Sequence, residues 1–184
     1  LERALPGHCH RAVGGRSGCV RRRWRRARRC RTGTLGFSAM SFVLIVGSGR
    51  VGSSVARNLL AGGHEVSVLD GDPLSHERLD AGQETSWEAA GGRFTIGQAI
   101  ERDALVEAGI EKADVFIAAT NGDNTNLTIA QIAQRMFNVP RVLVRVMDPA
   151  RAEWYSSQGM ETICPTSYAV EMFEKALAAP EAGS

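Results

Sequence analysis

Gly47, Gly49 and Gly52 fall in the order G-x-G-x-x-G across the run Gly47-Ser48-Gly49-Arg50-Val51-Gly52. That spacing suits a backbone that must come close to a phosphate: the first glycine turns tightly, the second admits pyrophosphate, and the third lets a helix pack closely on a strand. The pattern is common by itself and gains meaning from its surroundings. An apolar run precedes it, an amphipathic segment whose amide end can hold an anion follows it, and an acid closes the next strand. Asp70 stands 18 residues after Gly52, near the ~20 at which a carboxylate meets the adenosine ribose hydroxyls. A carboxylate there repels a 2′-phosphate, so NADP is disfavoured. Arg50 reads either as a phosphate ligand or as a solvent-facing arginine. Asp72 reads either as a second polar ligand or as the cap of the following helix.

These residues need strands and helices to place them. The run 41–46 (SFVLIV) is short, apolar and stops at glycine, as a strand buried on both faces of a parallel sheet does. From Arg50 onward, Val51, Val55, Leu59 and Leu60 recur at helical spacing until Gly62-Gly63, and 65–69 (EVSVL) resumes a strand. A weak helix over 73–81, an unassigned stretch over 82–92, a strand over 93–96 and a helix over 102–108 follow. The run 114–119 (DVFIAA) reads as a fourth buried strand. The next helix carries Ile129, Ile132, Ala133, Met136 and Phe137 on one face, is capped by Asp123 or Asn124, and is stopped by Pro140. A strand over 141–146, a helix over 149–157, a short strand over 161–164 and a helix over 167–179 complete the series. The alternation specifies an α/β fold of Rossmann type, a doubly wound parallel six-stranded sheet in a single domain, with its ligand crevice between the first and fourth strands.

Hydride-transfer chemistry needs an acid or base beside the nicotinamide. In the predicted folded region, the histidines are His64, in a Gly62-Gly63-His64 turn at the far end of the sheet, and His76, in a polar helix; both read as surface residues. A Tyr followed four residues later by Lys is absent, since Met172 follows Tyr168 and Gly159 follows Tyr155 at that spacing. The binding half is legible without catalytic groups. A small NAD-dependent oxidoreductase, or the cofactor domain of one, is the alternative reading.

The net charge of +2 conceals an asymmetry. Residues 1–39 hold 11 Arg against Glu2, about +10, while the remainder holds 11 basic against 19 acidic residues, about −8. An acidic body is not a nucleic-acid-binding one. The Arg-rich extension over 1–39 is expected to be disordered and to lie outside the fold, which begins directly after Met40, read as a natural start. Nucleic acid, an anionic membrane or a transit function are the competing readings of its charge. Cys9, Cys19 and Cys30 are spaced 10 and 11 apart, unlike zinc-site pairs, and Cys164 reads as a packing cysteine of a reducing compartment. No metal site is expected. A cytoplasmic protein is the expectation from that reducing compartment, and no apolar stretch is of membrane-spanning length.

The residues also match more than a generic pattern. VLIVGSGRVGSSVARNLL, EVSVLDGDP, LVEAGIEKADVFIAATNGDNTNL, VPRVLVRVMDP and ETICPTSYAVEMF, in that order and spacing, resemble the nucleotide-binding lobe of Trk/Ktr-type potassium-uptake regulators, the RCK N-terminal domain, over residues 42–178. The resemblance implies a regulatory subunit, not an enzyme, peripheral at the inner face of the plasma membrane. It implies binding of NAD(H) or ATP/ADP and control of a potassium-translocating membrane subunit. It places Gly47, Ser48, Gly49, Arg50, Val51 and Gly52 at the phosphates, Asp70 at the ribose with Asp72 nearby, and Gln98 and Ala99 near the adenine. Thr120 and Asn121 would face the crevice, and Arg145 would point toward phosphate; their other readings are helix capping and pairing with an acid such as Asp148. Residues 40–165 correspond to that domain and 166–184 to a crossover helix and tail reaching a second subunit of a dimer or higher ring. Gly97-Gln98 departs from the family's usual residues there, and Thr166 stands where some members place a metal-binding Glu. Members commonly continue into a second small lobe.

Overall fold

The computed structural model describes residues 40–178. The readings for the Arg-rich segment 1–39 and for the last six residues lie outside the described residues. Six strands, β1 (Phe42–Val46), β2 (Glu65–Asp70), β3 (Arg93–Ile96), β4 (Val115–Ala118), β5 (Arg141–Arg145) and β6 (Glu161–Ile163), form one sheet in the order β3-β2-β1-β4-β5-β6. Every pairing is parallel. The helices α1 (Arg50–Ala61), α2 (Glu77–Asp80), α3 (Arg102–Glu107), α4 (Asp123–Arg135), α5 (Pro149–Ser157) and α6 (Pro165–Ala178) fill the connections. The sheet order reverses between β1 and β4, and that is where a crevice must open at the strands' carboxyl ends.

The central strand explains the two-sided core. All five residues of β1 are buried. Phe42, Leu44 and Val46 pack on one side with Phe116, Leu105, Ile129 and Val144, and Val43 and Ile45 pack on the other with Val66, Val68, Ala56 and Leu79. Alternate side chains of one apolar run thus serve helices on both faces. In register, Val46 lies beside Leu69 and beside Ala118, so the residues following β1, β2 and β4 emerge together at one edge of the sheet.

The structure corrects several local expectations. The expected helix over 73–81 divides into a 3-10 turn, Pro73–His76, and the single turn α2. Asp114 does not continue β4; its carboxylate oxygen Oδ2 accepts from the Phe42 amide at 2.9 Å, tying the start of β1 to the entry of β4. The N-cap of α4 is Gly122, with no side-chain cap bond, and Met136 is exposed outside the core face that includes Ile129 and Ala133. Asp123 instead reaches across to the turn after β5, accepting from the amides of Met147 and Asp148 at 2.8 and 3.2 Å. The segment 82–92 is a run of turns anchored by Trp87, which is only 2% exposed and packs with Leu79 and Val66. His76 is half-buried, not a simple surface residue, with its ring edge-on to Phe94. Among the described residues no helix is long and apolar enough to cross a membrane.

Candidate functional site

The carboxyl ends of β1, β2 and β4 enclose a cleft of about 620 Å³, a size suited to a small ligand. Gly47, Gly49, Arg50, Val51, Asp70, Asp72, Gln98, Ala99, Thr120, Asn121 and Arg145, all singled out in the sequence, line it. Ser48 and Gly52 do not. Ser48 is buried behind the loop, where its hydroxyl donates to the Ser75 carbonyl at 2.7 Å. Gly52 lies beneath the loop: a Cβ there would stand 1.8 Å from the Gly47 carbonyl oxygen. Gly47 itself has φ +97°, with the Thr120 amide nitrogen 2.8 Å from where a Cβ would be. The glycines therefore let the loop fold down on α1 and against β4.

Gly49 caps α1 with no side-chain bond, and the first turn contains no acid. The uncapped amides and the positive end of the helix dipole make this edge of the cleft a seat for an anion. Arg50, exposed at the first helical position, adds a cation beside it.

Asp70 faces the loop from the end of β2. Its Oδ2 accepts from the Ser48 amide at 2.6 Å and its Oδ1 from the Asp72 amide at 3.0 Å. One carboxylate thus joins the glycine loop to the turn after β2, and as a cleft-lining acceptor it has lone pairs to spare for a ligand's hydroxyls. Asp72 takes the capping role: its Oδ1 accepts from the Leu74 amide at 3.0 Å at the start of the Pro73–His76 turn, on the rim of the same cleft.

The opposite wall is built around Asn126, which the sequence did not single out. Its side chain is fully buried. Oδ1 accepts from the Thr120 amide and hydroxyl at 2.9 and 2.7 Å, and Nδ2 donates to the carbonyls of Thr120 and Arg145, both at 3.0 Å. Thr120 is therefore fixed at the end of β4, and its hydroxyl also lies 3.3 Å from the Gly122 amide. Arg145 does not pair with Asp148, whose carboxylate caps α5 by accepting from the Arg151 amide at 2.9 Å. Its Nη1 donates to the Thr120 carbonyl at 3.1 Å, while its Nε is buried without a partner. Just beyond, the Met147 carbonyl accepts from the Thr166 hydroxyl at 2.7 Å, which joins this wall to the first turn of α6.

Asn126→Ala is expected to cost about 2–3 kcal/mol, because the backbone groups of Thr120 and Arg145 lose partners in a buried place. Urea unfolding monitored by circular dichroism measures this; an unchanged midpoint would refute it. Sequence reading also missed Arg78 and Thr125, which line the cleft. Arg78 rides on a four-residue helix too short for periodicity to orient it.

A glycine loop after the first strand, an acid ending the second and a crevice at the sheet's reversal define a Rossmann-type nucleotide-binding domain. Residues 43–165 match the TrkA-N domain model, and the chain belongs to that family. It is 39% identical over 135 residues to the Trk system potassium uptake protein TrkA of Streptomyces coelicolor, covering 73% of this chain and 57% of that protein. It is 37% identical over 114 residues to the protein of the same name from Mycobacterium tuberculosis, covering 61% of this chain and 47% of that one. The chain thus spans about half the length of the curated relatives it matches. Among solved structures it resembles the Kef CTD of Shewanella denitrificans in AMP-bound form, with 26% identity, a TM-score of 0.59, and coverage of 74% of this chain and 79% of that one. The TrkA-N domain of the Escherichia coli inner membrane protein ybaL shares the fold, with 19% identity, a TM-score of 0.62, and coverage of 76% and 98%.

Proposed function

We propose that this domain senses an adenine nucleotide, NAD(H) or ATP/ADP, and passes its occupancy to a potassium-translocating membrane subunit, acting as a cytoplasmic regulator without a reaction of its own. The observation that carries this reading is the cleft itself, with an uncapped helix end and Arg50 on one side and the Asp70 carboxylate on the other. Phosphates would lie along residues 47–52, the ribose at Asp70, with Asp72 alongside, the adenine beside Gln98 and Ala99, and the far end of the ligand near Thr120, Asn121 and Arg145. The family membership and the names of the TrkA relatives support the connection to potassium uptake. The AMP in the similar Kef structure supports an adenine nucleotide. Among the described residues that line the cleft there is no His, Lys, Tyr or Cys for proton transfer, and its acids Asp70 and Asp72 accept from backbone amides, which favours sensing over the oxidoreductase alternative.

Calorimetric titration of the full chain with NADH, NAD, ATP, ADP and NADPH tests the reading. Binding of at least one of the first four without turnover, weaker for NADPH, is expected. No binding to any of them would refute nucleotide sensing, and steady oxidation of NADH with a substrate would favour the enzyme.

A sensor works by binding two arrangements unequally, and a second copy of the chain is the simplest partner for such a change. The surface of α6 fits that role. Val170, Phe173 and Leu177 share one side of the helix at i, i+3 and i+7, all exposed, with Phe173 and Leu177 at 72% and 86%. Phe173→Glu is expected to shift the chain from dimer or higher ring to monomer in analytical ultracentrifugation; a monomeric parent chain would refute the assembly.

A further inference from the structure

Away from the cleft, three metal-ligating side chains converge. His76 ends the 3-10 turn and Asp80 ends α2 four residues later, on the same face of that turn. Glu88 arrives from the segment 82–92, where the buried Trp87 donates its amide to Asp80 Oδ1 at 2.7 Å. The other oxygen of Asp80, Oδ2, faces His76 Nδ1 at 3.8 Å, and His76 Nε2 lies 2.6 Å from Glu88 Oε1. Phe94, its ring centroid 5.0 Å from that of His76, sets the plane of the imidazole. Among the described residues neither carboxylate pairs with a Lys or Arg, so both converge on one imidazole. One ligand atom from each side chain lies within 4.8 Å of the others.

We propose that His76, Asp80 and Glu88 bind a divalent first-row transition ion of the zinc class. A tetrahedral ion holding nitrogen and oxygen ligands at about 2.0–2.2 Å has ligand–ligand edges of about 3.4 Å. The His76 Nε2–Glu88 Oε1 spacing of 2.6 Å has to open toward that value, and Asp80, which faces the other ring nitrogen at 3.8 Å, has to turn toward the ion. The ion lies between one His76 ring nitrogen and the two carboxylates, with water in the fourth position. An imidazole with two carboxylates suits zinc-like ions; calcium and magnesium favour an all-oxygen shell of six or more ligands. The bound ion ties the turns of 82–92 to the helix that carries Arg78 to the cleft rim. The site stands on its own geometry and does not depend on the nucleotide reading.

The test is calorimetric titration of Zn²⁺ into the full chain, the Glu88→Gln variant and the His76→Gln variant. His8, Cys9, His10, Cys19 and Cys30 are common to all three proteins, so the difference isolates the site. Each variant is expected to lose one equivalent of bound Zn²⁺ or to bind it about tenfold or more weakly, at unchanged far-ultraviolet circular dichroism. Mg²⁺ and Ca²⁺ are expected to give no difference between parent and variants. Glu88 is exposed and outside the core, so its variant decides the matter if His76→Gln fails to fold. Equal Zn²⁺ stoichiometry and affinity in parent and Glu88→Gln, or the same difference with Ca²⁺, would overturn the proposal.

Discussion

Replacing Asp70 with alanine is expected to weaken adenine-nucleotide binding by about 2–4 kcal/mol, roughly thirty- to a thousandfold. Two losses add. On the proposed placement the ribose hydroxyls lose a charged acceptor, and the Ser48 and Asp72 amides, now bonded to Asp70 Oδ2 and Oδ1, lose theirs. The second loss loosens the glycine loop before any ligand arrives, so the variant is also expected to unfold at lower urea concentration. Asp70→Asn separates the parts. Its one amide oxygen still accepts from Ser48, while its NH2 group faces the Asp72 amide, donor against donor. Stability is expected to recover further than affinity. Calorimetry with ADP and with NADH, alongside urea unfolding, reads both quantities; full affinity in Asp70→Ala would remove the carboxylate from the ligand site.

Gly52→Ala is expected to abolish nucleotide binding and to destabilise the domain by about 3 kcal/mol. The added methyl would stand 1.8 Å from the Gly47 carbonyl oxygen, and the obstacle is backbone, so the loop must lift off α1 or the helix must withdraw. Gly49→Ala provides the contrast. Its φ of −69° is open to any residue, and nothing lies within 4 Å of the added Cβ. That variant is expected to lose under about 1 kcal/mol of stability but much of its affinity, because the methyl occupies the space through which a phosphate would approach the helix amides. Thermal unfolding and ADP titration of the pair give the answer. Equal binding by both variants would mean that the loop holds no phosphate.

The parts of the fold legible in the sequence are those where one local pattern settles the outcome. FVLIV between polar turns can only be a strand covered on both sides, and the glycine spacing after it has meaning only at a strand-to-helix turn. The parallel sheet and the crevice between the first and fourth strands followed from the strand–helix alternation, while the full order β3-β2-β1-β4-β5-β6 is seen in the structure. What escaped depends on distant partners. Trp87 sits among polar and glycine residues, and nothing near it announces that it joins the buried cluster with Leu79 and Val66. Asn126 reads as one more polar residue on a helix; its importance comes from backbone groups at the ends of two strands. Met136 followed the helical period past the point where the core ends. For the cleft, residues adjacent to strand ends were visible in advance, whereas Arg78 needed the actual path of a single helical turn.

The bond between the Thr166 hydroxyl and the Met147 carbonyl gives the cleft a mechanical advantage. The hinge end of α6 is fastened to the same stretch of chain that Asn126 and Arg145 connect to Thr120. A helix of 14 residues is about 21 Å long. By simple leverage, a tilt of about 5° at its root sweeps Leu177 through about 1.6 Å, the scale of shift by which packed helices exchange one set of neighbours for another. On the proposed sensing role, a sub-ångström adjustment where the far end of a ligand would rest would become, at the tip of α6, a displacement that a second molecule could register.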